Sequence, residues 1–482
     1  MKTQSQGLPS QTMPMNMVGG NSFGVYPKIS SSVTYNMFIS DGWFMTIPGY
    51  VNAEQEYSDG EGRGCYSSTR LKKLFFVENS DIYYRDMGGY KKFIGSIDTF
   101  SGVVFIAEND NKQVGFCDKK NIYIYSDITG VLQKATLDFI PGYLEALNGY
   151  FISVALGTKE WRLCALGDGL DWTPTSNRVG ELQSDYPIAT VRIPGKSNNL
   201  FVMGRNITEL WIDTGAALFP FQKTTSFNID YGCINPETIA VSDEFVIWLG
   251  GNDKSSPVIL YSSGGEAKQI SSDGINYRLS NLKNPNQCFA FTYKNLGHLF
   301  YQLTFYSEED NFTLLYDFTT KVFSYLSRDN YEHHIARKMA FFNNKYYFIS
   351  NSDSNLYIMD NAFNGFSSRN NDEGKPIFEV IPRIRIINTF RQPDNSSFIV
   401  NCLGFIMEQG ENESAQRVDL SISKDGGRTF SNSVELIPNN FAYRRNKVIA
   451  WNLGYANEFT AQFKFWGYDR FLITEGYLEI FQ

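Results

Sequence analysis

Two stretches decide the fold: "LFFVENSDIYYRD" at Leu74–Asp86 and "VGFCDKKNIYIYSD" at Val114–Asp127. Each is a short apolar run, a polar turn, then a second run carrying aromatics, closed by Asp. That is the pattern of a β-hairpin. The unit recurs in "YFISVALGTKEWRLCALGD" (150–168), "LFVMGRNITELWIDTG" (200–215) and "FVIWLGGNDKSSPVILYSSG" (245–264). "LFYQLTFYSEEDNFTLLYDFTT" (299–320) and "YYFISNSDSNLYIMD" (346–360) complete the series. The first strands begin at 74, 114, 150, 200, 245, 299 and 346, so the spacing runs from 36 to 54 residues. Hairpins repeating at this period predict the blades of a β-propeller, since about 45 residues hold the two hairpins of a four-stranded blade. Seven hairpins predict six or seven blades, with the N-terminal segment as a source of one closing strand. The alternative expectation is a β-rich chain with no closed symmetry, such as stacked sandwiches.

Composition agrees with an all-β chain. Aromatics make up 16% of 482 residues, with 39 Phe and 29 Tyr, and such residues favour strands. No amphipathic helical stretch of a dozen residues stands out. Residues 1–22 are polar and read as an extended N-terminal arm. Residues 23–360 read as the propeller. "NAFNGFSSRNNDEGK" (361–375) reads as a linker. Beyond it, 376–482 reads as a C-terminal antiparallel β-sandwich-like domain, from alternating runs such as "QRVDLSISKDGG" and "FTAQFKFWG".

Charge narrows the function classes. The net charge is −8 and the basic runs are no longer than pairs, so no phosphate-gripping cluster is present. Six cysteines without a CxxC read as reduced, buried thiols of a protein made in a reducing cytoplasm. No apolar run approaches the length of a membrane span.

Catalytic signals are sparse. The histidines are His298, His333 and His334, and adjacent His333 and His334 point apart on a strand. There is no HExxH, no GxSxG and no P-loop. No catalytic, metal or cofactor-binding residue is therefore expected. Trp161, Trp211 and Trp248 read as blade core rather than stacking platforms. One motif resembles the Asp-box of sialidases: Ser423, Asp425, Gly427, Thr429 and Phe430 in "SKDGGRTF". Its chemistry is that of a hairpin turn. Asp425 accepts from turn amides, glycines take positive φ, Thr429 adds a hydroxyl, and Phe430 is expected to pack the hairpin on its domain.

Two ends of the chain, taken together, carry a family resemblance. The D-G-G-x-T-aromatic turn is followed by "YRRNKVIAWNLGYANEFTAQFKFWG", with Trp451, Leu453 and Gly454 at a strand end. The N-terminal "YPKISSSVTYNMF" and "GWFMTIPGY" are the second part. Together they resemble the packaged-DNA stabilisation proteins of P22-like short-tailed bacteriophages, the tail hub or nozzle. The box differs in having Phe430 where Trp is more usual. The resemblance implies a non-catalytic propeller assembled as a ring, a hexamer, in the virion tail. It implies portal and adaptor proteins above and a needle or fibres below. Genomic DNA would pass through the lumen without sequence-specific binding. Competing expectations are a glycan-degrading tail propeller and a monomeric interaction scaffold.

Overall fold

The computed structural model describes residues 10–23, 32–54, 57–173, 175, 178–182, 185–217, 219–328, 331–371, 373–409, 417–438, 445–467 and 471–481. Among these residues seven antiparallel blades form in order, four-stranded except the fifth, where Gly232–Cys233 and Ala240–Val241 share the inner position beside Val246–Asn252. Blade one is Gly62–Ser68, Lys73–Glu78, Asp81–Asp86 and Lys91–Ser96, from the inner strand outwards. Its two middle strands are the hairpin read from "LFFVENSDIYYRD". The same holds in every blade, down to Lys345–Ser350 and Leu356–Asp360 of blade seven. The repeat seen in the sequence is thus the middle hairpin of each blade.

Blade seven takes its fourth strand from far away. Gly49–Asn52 pairs antiparallel with Leu356–Asp360, Tyr50 facing Met359. The N-terminal segment therefore closes the ring. Tyr50 is buried and stacks on Phe366 at 4.6 Å between ring centroids, with Phe348 and Tyr357 edge-on. Apolar cores fill the space between successive blades. Phe75 and Val77 pack with Phe116 and Tyr125 between blades one and two. Phe348 and Tyr357 pack with Phe300 and Leu315 between six and seven. The last core, Leu74 and Phe76 with Tyr347 and Ile349, joins blade seven to blade one. Trp161 and Trp248 are fully buried in these cores, and Trp211 packs edge-on to Trp161 at 5.3 Å. All six cysteines are free, and burial raises their thiols above the ordinary value.

The rest of the chain forms a two-sheet sandwich. One sheet centres on Phe398–Gln409, flanked by Arg445–Ala456 and Phe471–Phe481. The other runs Arg383–Ile386, Glu458–Trp466, Arg417–Ser423 and Val434–Leu436. Phe405, Phe459, Phe463 and Phe465 fill the space between.

Three segments read from composition lie elsewhere in the fold. Within the arm, Ser10–Met15 is a strand paired antiparallel with Phe471–Phe481, and Met15 and Met17 sit in the sandwich core. The alternation of Met13, Met15 and Met17 was the available signal, a period of two hidden by polar neighbours. Residues 1–9 lie outside the described residues. Met37–Ser40 and Trp43–Thr46 belong to the sandwich sheet, not the propeller. Within the linker, Gly365–Asn370 is a strand parallel to Gly49–Asn52. It is an inner strand of blade seven's sheet: Pro376–Val380 pairs antiparallel on its far side, and Gly365, Phe366 and Ser367 are buried.

The two units share a sheet. Val33–Tyr35 pairs in parallel with the outer strand of blade six, Val322–Leu326, and antiparallel with Arg383–Ile386 of the sandwich. One hydrogen-bonded sheet therefore runs from propeller to sandwich.

Candidate functional site

The box turn closes on itself. Asp425 Oδ1 accepts from the amides of Arg428 and Thr429, both at 3.0 Å, and Oδ2 accepts from Thr429 Oγ1 at 2.6 Å. Ser423 Oγ donates to Asp425 Oδ1 at 2.7 Å and accepts from Gly427 N at 2.9 Å. Gly426 and Gly427 have φ of 75° and 87°, a region that disfavours side chains. Hydrogen bonds from Ser423 and Thr429 hold the Asp425 carboxyl well below the usual carboxylate range. Phe430 departs from expectation. It is half-exposed, and the partly buried residues on the sandwich core include Ile422 and Leu453 but not Phe430. Beyond it Ser431 N donates to the Ile422 carbonyl at 2.8 Å, and the strand ladder resumes at Val434.

Trp451, Leu453 and Gly454 mark a bulge. The register shifts between Val400 and Cys402, with Trp451 facing Cys402 and Gly454 facing Val400. Asn452 and Gly454 take positive φ, 59° and 83°. The bulge turns Leu453 towards the core and leaves Trp451 58% exposed.

The seam between the units is dense in buried polar groups. Asn36 Nδ2 donates to the carbonyls of Ser327 at 3.0 Å and Pro382 at 2.8 Å, and Oδ1 accepts from Ser327 N at 2.9 Å. One side chain thus ties the N-terminal segment, the end of blade six and the entry to the sandwich. Arg385 is buried and donates to Thr34 Oγ1 at 3.0 Å and to the Asn16 carbonyl at 2.9 Å. Burial pulls its guanidinium down to about 10. Arg383 donates to the carbonyl of Gly467. Nearby, His298 of blade six lies between Asp317 and Ser40, Nδ1 at 2.8 Å from Asp317 Oδ2 and Nε2 at 3.2 Å from Ser40 Oγ. Ser40 and His298 stand 258 positions apart, so no sequence motif links them.

The propeller axis holds a cavity of about 330 Å³, with lining residues such as Tyr66, Glu145, Arg192, Thr292 and Lys338 from the inner strands. Arg337 forms an ion pair with Glu61 and another with Glu237 at 2.9 Å. Lys338 Nζ donates to the carbonyl of Ala290 at 2.8 Å and that of Glu237 at 3.2 Å, linking blade seven to blades six and five. Burial lowers Lys338 to about 8. The other two histidines serve packing: burial pulls His334 down to about 3, and His333 Nε2 meets Asn351 Nδ2 at 2.9 Å. Among the described residues, no three His, Cys, Asp or Glu side chains gather as a metal site. No described helix is long and apolar enough to cross a membrane.

A family model described as "Bacteriophage P22 Gp10, beta-propeller" matches residues 24–364, most of the chain and nearly all of the seven blades. The protein belongs to this phage β-propeller family. The match confirms the family resemblance read from the two ends and makes this a phage structural protein, a component of the virion. No curated protein matches the chain. Solved structures similar to it include the N-terminal domain of Nup159, at 10% identity and a TM-score of 0.41, covering 68% of this chain and 98% of that one. A virginiamycin B lyase from Staphylococcus aureus shares 13% identity at a TM-score of 0.41, covering 64% and 97%. The Pan2 WD40 domain of Neurospora crassa shares 9% at 0.40, covering 67% and 96%.

Proposed function

We propose that this phage structural protein is a tail hub or nozzle, assembled as a closed ring, a hexamer, below the portal and its adaptor. In this reading it retains the packaged genome and forms the channel through which DNA leaves. The family match over residues 24–364 is the observation that carries it. The shared sheet supports it, because a propeller hydrogen-bonded to a sandwich moves as one body under load. The chain's net charge of −8 supports a conduit, since like charge discourages DNA from adsorbing to its wall. The Asp425 turn and the Trp451 bulge act here as structural parts of the sandwich. Needle or fibre proteins are the proposed partners below the ring, and the host cytoplasm the site of assembly.

The test is genome retention. Phage carrying a nonsense mutation in this gene, grown on a non-suppressing host, should yield heads that package DNA and then lose it. Heads that keep their DNA without the protein would overturn the reading.

A further inference from the structure

His298 joins a second set of contacts that a purely structural hub does not require. Asp317 Oδ2 receives His298 Nδ1 at 2.8 Å and Thr320 Oγ1 at 2.7 Å, while Oδ1 accepts from Thr319 N at 2.9 Å. A carboxylate only accepts, so Nδ1 carries the proton. In the neutral imidazole Nε2 is then the acceptor, and its partner is the Ser40 hydroxyl at 3.2 Å. His298 and Asp317 are buried, and the imidazole is fixed by Phe38 edge-on and Phe300 stacked. Ser40 is only half-buried and sits at the last position before a two-residue hairpin turn. Ser40 pairs with Trp43, so Asp41 and Gly42 form the turn, exposed, with φ of 50° and 81°. Their amides lie in the turn, outside the ladder.

We propose that Ser40, His298 and Asp317 form a nucleophile, base and orienting carboxylate able to cleave small acyl esters. The order of contacts is the one acyl transfer needs, and it is recognised by geometry rather than sequence position. As Ser40 Oγ bonds to the acyl carbon, its proton passes to His298 Nε2. The amides of Asp41 and Gly42, the two turn residues that follow the nucleophile, are the donors proposed for the oxyanion. The ester C–O bond then breaks, and the leaving alkoxide takes the proton from Nε2. Water repeats the sequence, releasing the carboxylic acid and restoring Ser40. Ser40 and His298 are the catalytic residues, and Asp317 positions the imidazole.

The test uses the purified full chain and a fluorophosphonate probe, read by intact mass and peptide mapping. One adduct is expected, on Ser40, absent in Ser40→Ala. Asp317→Asn should slow labelling by about 10²-fold or more and change its pH profile, because the imidazole loses its tautomer. His298→Gln should do the same, with thermal unfolding as the folding control. No adduct on folded wild type, or an adduct that survives Ser40→Ala, overturns the proposal. Labelling at Ser40 that keeps its rate and pH profile in Asp317→Asn overturns the relay.

Discussion

The propeller and the sandwich are built by opposite routes. In six blades all the strands come from one stretch of chain, and hairpin neighbours pair. The sandwich gathers Ser10–Met15, Met37–Ser40 and Trp43–Thr46 from one end of the chain and Phe398–Gln409 and Phe471–Phe481 from the other. Blade seven is intermediate, three local strands and one from Gly49–Asn52. Local pairing costs little loop closure, whereas the sandwich must bring its strands together across more than 400 residues. The propeller should therefore tolerate loss of the N-terminal strand, and the sandwich should not.

The largest effect tests this directly. Deleting residues 1–18 removes Met15 and Met17 from the sandwich core. Two buried methionines are worth about 4–10 kcal/mol together on the large-to-small scale. Calorimetry should show the sandwich transition falling or disappearing while the propeller transition holds. A propeller that falls equally would erase the distinction between the two regions.

A smaller loss is expected from Tyr50→Ala. It empties the aromatic site where the N-terminal segment closes blade seven, at about 3–5 kcal/mol. Hydrogen exchange should quicken first in Leu356–Asp360 and Gly49–Asn52, leaving the sandwich core protected. Uniform quickening would mean that closure does not localise there.

The smallest effect belongs to the Asp425 turn. Its carboxyl is held below the ordinary 3.8, so the folded form favours the charge. That stabilisation is present above pH 3.8 and is lost as pH falls through the lower folded value. Asp425→Asn should lower the unfolding temperature of the sandwich at pH 5 and converge with wild type in acid. An equal gap at every pH would remove the charge from the explanation.

The same contrast explains what could be read from the chain. Hairpins such as Leu74–Asp86 were legible because their partners are sequence neighbours and their aromatics alternate with polar turns. The closing strand was foreseeable as a need, and Gly49–Asn52 fills it. The arm was misread because Met13, Met15 and Met17 are interleaved with polar residues, and their partner strand lies at the other end of the chain. The linker was misread because Gly365–Asn370 is rich in Ser, Arg and Asn, and its partner on one side, Gly49–Asn52, lies far off in the chain. The Asp425 turn was legible because it is built within seven residues. Asn36, Arg385 and the Ser40–His298–Asp317 set were not, since each acts only across the seam.

The central claim is that these blades and this sandwich form one subunit of a closed tail ring. Electron cryo-microscopy of the purified protein, alone and with its portal and adaptor, tests it most directly. The account predicts closed rings, six subunits around a lumen where Asp and Glu outnumber Lys and Arg. Particles that stay single subunits in both samples, or a ring with a basic lumen, would contradict it.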